Sequence, residues 1–395
     1  MMPTKIALVF GTRPEAVKLA PLYHELRRRE GQFQVEAIVT AQHREMLDQM
    51  LHAFDIVPSV DLNIMQPEQT LADITSRALT LLQPAFAKRS PDMVIVQGDT
   101  CTAFAAGLAA YYERIPVGHV EAGLRTNDKY SPFPEEIYRR LVGVLADVHF
   151  AATRRARHNL LGEGVNVEKI YVTGNPVVDS LYTVLERGSG LAGTELAWVD
   201  DLKGRVCLLT AHRRESLGVP LTRIFLAVKE LIERFSDLHV IFPVHKNPKV
   251  QRAAEEILGS SERVVLCDPV DYLTFVPLMA RADIIITDSG GVQEEAPALG
   301  VPVIVVRDTT ERPEGVAAGV AKLVGTETER IVAEVSHLLN NPNEYRRMAS
   351  LGCPYGDGKA SARICDALEF YFGMRDARPA DFDWQPGQPP AETSE

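Results

Sequence analysis

The chain alternates short, unbroken apolar runs with longer stretches of helical periodicity, and it does so twice. In the first half the strand-like runs are Ile6–Phe10, Val35–Thr40, Met93–Gln97, Val117–Val120, Val148–Ala151 and Ile170–Thr173, with helical stretches such as Pro14–Arg29, Thr70–Lys88 and Thr102–Arg114 between them. The pattern restarts with Val206–Thr210, Val240–Pro243, Val264–Leu266, Ile284–Thr287, Pro302–Val306 and Ala321–Val324, separated by helices that include Leu221–Phe235, Lys249–Leu258 and Gln293–Leu299. Continuous apolar strands spaced by helices belong to parallel sheets covered on both faces. With 395 residues the chain exceeds one ordinary core, so the repeat predicts an α/β protein of two doubly wound domains.

The Gly-rich, aperiodic segment Arg187–Asp201 marks the boundary, giving an N-terminal domain over 1–185 and a C-terminal domain over 186–359. A further helix is expected over Ala360–Phe372. The segment 374–395, rich in Pro, Asp and Glu, reads as a disordered tail.

Hydrophobic residues make up 46% and charged residues 24% of the chain, as in a soluble globular protein. A net charge of −11 argues against a nucleic-acid partner, which would meet a basic face. An anionic ligand must then be held by a few well-placed cations. No apolar stretch approaches the roughly eighteen residues of a membrane span. The opening MMPTKIALVF reads as a buried first strand, not a secretory leader. Cys101, Cys207, Cys267, Cys353 and Cys365 are scattered, with no C-x-x-C pair. That fits reduced thiols in the cytoplasm and gives no zinc site.

In α/β sheets ligands gather beyond the carboxyl ends of strands, so polar groups there are the candidates. After the first strand come Gly11-Thr12-Arg13-Pro14-Glu15 and Lys18. Pro14 suits a first helical turn, and the helix start with Arg13 and Lys18 is a plausible anion site, although two surface cations on an ordinary loop would look the same. No G-x-G-x-x-G follows, so the dinucleotide fingerprint is absent. Asp99, after Met93–Gln97, either caps the next helix or presents a carboxylate. Glu121, ending Val117–Val120, needs a partner or a task. Pro134-Glu135-Glu136 marks a helix start, which accounts fully for Glu136 and only partly for Glu135, and Arg139 follows one turn on. In the second half His212 stands at a strand end beside Arg213 and Arg214, and His245 with Lys246 follows the next strand in the same way. The sharpest local signal is Asp288-Ser289-Gly290-Gly291, a strand running through a Gly turn into a helix, where backbone can approach a diphosphate. Glu295 lies one turn further, within reach of ribose hydroxyls. Arg307–Glu314 gathers more charge after Val303–Val306. Gly358-Lys359 lacks the Ser or Thr and the upstream Gly of a phosphate loop, and Arg154-Arg155-Arg157-His158 reads as a solvated helix face.

Taken in order, GTRPEAVKLAPL, TAQHREMLDQM, VQGDTCTAFAAGLAA, IPVGHVEAGLRTNDKYSPFPEE, VTGNPVVDSL, LLTAHRRES, IFPVHKNP, DSGGVQEEAPALGVPVIVVRDTTERPE and GKASARICDAL resemble the non-hydrolysing UDP-N-acetylglucosamine 2-epimerases from about Lys5 to Leu368. The resemblance implies a GT-B fold, two Rossmann-like domains with an interdomain cleft, in which the last helix, 360–373, rejoins the first domain. It implies a homodimer, a UDP-sugar substrate, no metal or redox cofactor, and a product that feeds cell-surface polysaccharide synthesis. Its chemistry removes the proton at carbon 2 as UDP departs, passes through 2-acetamidoglucal, and adds UDP back with a proton on the other face.

By that likeness Asp99, Glu121 and Glu135 are the acid–base candidates, with the choice among them open, and crowding should raise the pKa of at least one. His212 matches a functional histidine on the phosphate side or in a proton relay. Arg13, Lys18, Ser289, Gly290 and Gly291 match UDP-holding positions, Phe275 a uracil-packing one, Glu295 a ribose contact, and Arg139 and Arg312 arginines of the substrate site. Gln42 and His43 match part of a second, activating UDP-GlcNAc site, but Glu45 and Glu68 replace a Gln and an Arg there, and added negative charge opposes a diphosphate. Cys101, Ala103, Tyr138, Pro176 and Ser216 also depart from the family's usual residues without removing a proposed catalytic group. The alternatives are an epimerase of a related UDP-2-acetamido sugar, a hydrolysing epimerase, a GT-B glycosyltransferase and a non-catalytic sugar-nucleotide sensor. The hydrolysing group diverges at Arg13–Glu15 and Thr309–Glu314, a glycosyltransferase has no use for carboxylates gathered at carbon 2, and a sensor need not retain them.

Overall fold

The computed structural model describes residues 2–42, 44–188, 190–213 and 216–387. The chain divides into two compact units, Met1–Ser180 with Tyr355–Asp383, and Leu181–Pro354 with the stretch from Trp384. The first half runs β1 (Thr4–Phe10), α1 (Arg13–Arg28), β2 (Phe33–Val39), α2 (Arg44–Ala53), β3 (Val60–Asp61), α3 (Leu71–Arg89), β4 (Met93–Gln97), α4 (Cys101–Tyr112), β5 (Val117–Ala122), α5 (Glu135–Leu145), β6 (Val148–Ala151), α6 (Arg154–Gly162), β7 (Ile170–Val172) and α7 (Pro176–Glu186). The second runs β8 (Arg205–Thr210), α8 (Val219–Arg234), β9 (Leu238–Pro243), α9 (Pro248–Leu258), β10 (Val264–Cys267), α10 (Tyr272–Arg281), β11 (Ile284–Thr287), α11 (Gly290–Glu295), β12 (Val303–Val305), α12 (Pro313–Ala318), β13 (Ala321–Leu323), α13 (Thr328–Asn340) and α14 (Pro342–Ala349), and α15 (Ala360–Tyr371) returns to the first unit.

Each apolar run that reads as a strand forms one. The first sheet has the order β3-β2-β1-β4-β5-β6-β7 and the second β10-β9-β8-β11-β12-β13. Every pairing is parallel. Both orders reverse once, between β1 and β4 and between β8 and β11, and these are the switch points where loops diverge and leave room for a ligand. The strand β3 was not expected, because two edge residues carry no periodicity. Burial explains the unbroken hydrophobic runs: Val9, Ile38, Val94 and Val96 pack on α3 and α4 side chains such as Phe86 and Ala106 in the first unit, and Leu209, Phe242, Ile286 and Ile304 pack with Phe225 and Val335 in the second.

The expectation of a disordered tail from 374 is corrected over much of its length. Asp381 accepts the Val172 amide at 2.9 Å and pairs with Arg157 at 3.1 Å. The Phe382 amide donates to the Val172 carbonyl at 2.7 Å, and its side chain is only 5% exposed. The Arg378 guanidinium lies 4.1 Å from the Tyr171 ring centroid and donates to the Ile170 carbonyl. Composition predicted no regular structure here, and there is none. Specific ionic, aromatic and backbone partners along β7 and α6 hold the strand-like segment instead. Two members of the basic cluster on α6 are those partners: Arg157 pairs with Asp381 and Arg154 with Asp383. The part of the tail beyond 387 lies outside the described residues.

Among the described residues no helix is long and apolar enough to cross a membrane, and no group of three or more His, Cys, Asp or Glu could hold a metal ion.

Candidate functional site

In the first unit the structure pairs Lys18 on α1 with Glu121 on β5, and Arg139 on α5 with Asp99 after β4. Glu121 closes β5 at a register shift between Val120 and Ala122, with a φ of 62°. A non-glycine residue in the left-handed region costs about 1–3 kcal/mol and marks sites where a side chain is re-aimed. The Glu121 carboxylate accepts Lys18 Nζ at 2.6 Å, the Asn175 amide at 3.0 Å and the Gln97 amide. Gly98, with φ of 68°, lies so close that a Cβ there would sit 3.3 Å from Glu121 Oε2.

Asp99 is not the cap of α4. Thr100 is, its hydroxyl accepting the Ala103 amide at 2.9 Å. Asp99 is thereby free of the backbone and accepts the Arg139 guanidinium, with Nε at 3.0 Å. Arg139 is buried on α5 and also reaches Glu136 at 3.3 Å. Glu136, fully buried, accepts the Thr126 and Asn127 amides and Arg140, so it organises the preceding loop as a helix-start carboxylate should. Glu135 opens α5, half-buried, one residue away. Arg13 is exposed at the first position of α1. The carboxyl that stands well above its ordinary range in this region is Glu15, raised to about 7 by complete burial and held back by the Thr100, Gly11 and Thr12 donors.

Gln42 accepts the Thr102 hydroxyl at 3.2 Å. His43, the other residue matched to an activating site, lies outside the described residues.

In the second unit the switch point lies between β8 and β11. Asp288, completely buried at the end of β11, accepts the backbone amides of His212 and Arg213, both at 2.9 Å, and lies 3.5 Å from His212 Nδ1. One carboxylate thus fixes the loop after β8 against the loop after β11. The His212 ring stacks on His245, centroids 5.5 Å apart. Ser289 precedes α11, and a Cβ on Gly290 would lie 3.3 Å from Arg213 Nη2 and 3.4 Å from Arg312 Cζ, so two guanidiniums flank the glycine turn. A Cβ on Gly291 would approach Glu295 to 3.5 Å. Arg312 donates to Glu294 at 2.7 Å. Glu311 accepts Arg307 at 2.7 Å and Arg213 at 3.2 Å. Burial would raise the Glu311 carboxyl, but Arg307, Arg213 and Arg312 overcome it and hold it at about 2. Glu295, buried, accepts the Tyr272 hydroxyl at 2.8 Å. Phe275, on α10, is half-buried.

The sequence alone assigns no holding role to Gln97, Asn175 and Glu15 in the first unit or to Asp288, Glu294, Arg307 and Glu311 in the second, all of them buried or largely buried. Asp288, Arg307 and Glu311 lie in segments the sequence singles out, and a polar residue ending an apolar strand, as at Gln97, is a further signal.

The chain matches the UDP-N-acetylglucosamine 2-epimerase family over residues 24–369. It is 50% identical to the UDP-N-acetylglucosamine 2-epimerase of Bacillus subtilis over 97% of this chain and 99% of that protein. Its structure is similar to S. aureus MnaA in complex with UDP, with a TM-score of 0.87, 46% identity, and coverage of 96% of this chain and 100% of that one. It is also similar to the UDP-GlcNAc 2-epimerase of Neisseria meningitidis bound to UDP-GlcNAc, with a TM-score of 0.86, 46% identity, and coverage of 92% and 99%. The two parallel-sheet units are those of the GT-B fold. With the sheet orders, the strand-end clusters and near-full-length likeness in agreement, the chain belongs to the UDP-N-acetylglucosamine 2-epimerase family.

Proposed function

We propose that the protein interconverts UDP-GlcNAc and UDP-ManNAc by inverting carbon 2 without releasing the free sugar. A base takes the carbon-2 proton, the bond from carbon 1 to the UDP oxygen breaks with its electrons leaving on UDP, and a carbon 1–carbon 2 double bond forms. UDP oxygen then adds back to carbon 1 as a proton is delivered to the opposite face of carbon 2. Asp99, Glu121 and Glu135 supply the proton transfers. Arg13, Lys18, Ser289–Gly291, Arg312 and His212 hold and stabilise departing UDP. Phe275 packs on uracil, and Glu295 contacts ribose. Arg139 orients Asp99.

The observation that carries this reading is the carboxylate pair at the ends of β4 and β5, next to the first switch point. Glu121, re-aimed by a left-handed backbone and held by Lys18, and Asp99, held by Arg139, end adjacent strands β5 and β4. A transferase that only binds UDP has no need for that pair. The test is incubation of the purified protein with UDP-GlcNAc and separately with UDP-ManNAc, followed by chromatography of intact nucleotides. Both should reach the same mixture with less than stoichiometric free UDP. Free ManNAc with stoichiometric UDP would show a hydrolysing enzyme, and no change would leave another UDP-2-acetamido sugar or a sensor.

A homodimer fits the exposed apolar face of α5. Ile137, Leu141 and Val144 fall on one side of that helix, and Val144 is 84% exposed. A contiguous exposed apolar stripe favours a partner surface, and we assign it to a second copy. A cytoplasmic location and a role in supplying cell-surface polysaccharide synthesis complete the proposal.

A further inference from the structure

We propose that Glu15 is a positioning residue whose buried carboxyl pins the loop presenting Arg13 and Lys18 to the loop presenting Asp99. This rests on the reading of those three residues as substrate-handling groups. Glu15 lies on the first turn of α1 and is 0% exposed. Its Oε2 accepts the Gly11 amide at 3.0 Å, the Thr12 amide at 2.8 Å and the Thr12 hydroxyl at 2.8 Å. Its Oε1 accepts the Thr100 hydroxyl at 2.6 Å. Thr100 in turn caps α4 through the Ala103 amide and is bonded through the chain to Asp99. One carboxyl therefore joins the starts of two helices that leave neighbouring strands, β1 and β4, at the switch point of the sheet.

An ordinary capping carboxylate serves its own helix and faces water. Glu15 does more, at a cost. Burying a carboxyl with only neutral donors is unfavourable, and burial raises it to about 7. The loop has no slack to replace it: a Cβ on Gly11 would overlap the Thr40 and Thr102 hydroxyls, which bond each other at 2.8 Å. Movement of Glu15 would shift the Gly11–Arg13 turn and Thr100 together. In the second unit a different arrangement reaches a similar end: Asp288, which follows β11, ties the loops after β8 and β11 through backbone amides.

The experiment compares hydrogen exchange and turnover of UDP-GlcNAc in the full chain and in Glu15→Ala, Glu15→Gln and Thr100→Val. Glu15→Ala should speed exchange about tenfold in peptides covering 11–15 and 98–104 but not in β6 or β7, whereas Glu15→Gln, which keeps an oxygen acceptor, should change it less than about threefold. Thr100→Val should speed 98–104 alone. In turnover, Thr100→Val should lower kcat about tenfold with KM nearly unchanged, and Glu15→Ala should lower kcat about 100-fold and also raise KM. Because Thr100 acts through Asp99, Thr100→Val should cost less than about twofold in an Asp99→Asn background. Unchanged exchange over 98–104 in Thr100→Val, or an undiminished penalty in the Asp99→Asn background, would overturn the proposal. Wild-type protein that does not convert UDP-GlcNAc would instead overturn the functional reading, while the exchange arm would still decide the pinning. If Glu15→Ala does not fold, Thr100→Val carries the test.

Discussion

Single side chains in this protein take their meaning from what holds them. Glu121 is a strand-end carboxylate in sequence, but its backbone conformation and its Lys18, Gln97 and Asn175 donors fix where it points. Asp99→Asn, Glu121→Gln and Glu135→Gln should each lower kcat by at least about 100-fold with circular dichroism unchanged, as expected for removal of a general acid or base; near-full activity in all three would discard the site. A separate titration belongs to stability. Burial drives His119 from 6.5 down to about 3, and its Nε2 meets the Gly98 carbonyl at 2.7 Å. The unfolded chain takes up that proton below 6.5 and the folded chain does not until about 3, so this stabilisation is present above pH 6.5 and is lost as pH falls through that window, by on the order of 5 kcal/mol. Glu15 works oppositely: its folded form keeps a proton up to about 7, so its contribution falls as pH rises from 4.5 to 7. His119→Gln should therefore flatten acid destabilisation in urea unfolding between pH 6.5 and 4, and an unaltered acid limb would exclude His119 as its source. Sequence put Asp99, Glu121, Glu15 and Asp288 at or just after strand ends, but not the bridging roles of Glu15 and Asp288, because a capping carboxylate and a buried bridge look identical in one dimension, and it gave no sign of the buried His119.

At the level of elements, the loops at the two switch points carry most of the proposed site residues, and the strands position them. The element α5 serves two surfaces. Glu136 and Arg139 turn inward to the loop and to Asp99, while Ile137, Leu141 and Val144 face outward. Its start was legible at Pro134-Glu135-Glu136, but nothing in that signal distinguishes a core-facing stripe from one left for a partner. Leu141→Glu with Val144→Glu should shift the mass measured by light scattering from dimer to monomer, and a monomeric wild type would remove the dimer assignment. The segment 378–382 is the element where composition misled. Proline and acid content describe the absence of helix, not the absence of packing, and Phe382 has its own contacts under Arg363. Phe382→Ala should destabilise the first unit by about 3 kcal/mol in denaturant unfolding; a change below about 0.5 kcal/mol would mean the segment contributes no packing.

For the molecule as a whole, the doubled alternation of apolar runs and helices was enough to predict two parallel α/β units, since a buried strand flanked by helices admits few other arrangements. The two-residue edge strand β3 and the six-residue α12 were not singled out, because such short segments are placed by tertiary packing. If carbon 2 exchanges its proton while UDP remains with the enzyme, proton NMR of the full chain with UDP-GlcNAc in deuterated water will show it. UDP-ManNAc carrying deuterium at carbon 2, with UDP still attached, is the expected product. Epimerised product that retains its original carbon-2 proton, or free ManNAc with UDP, would contradict it.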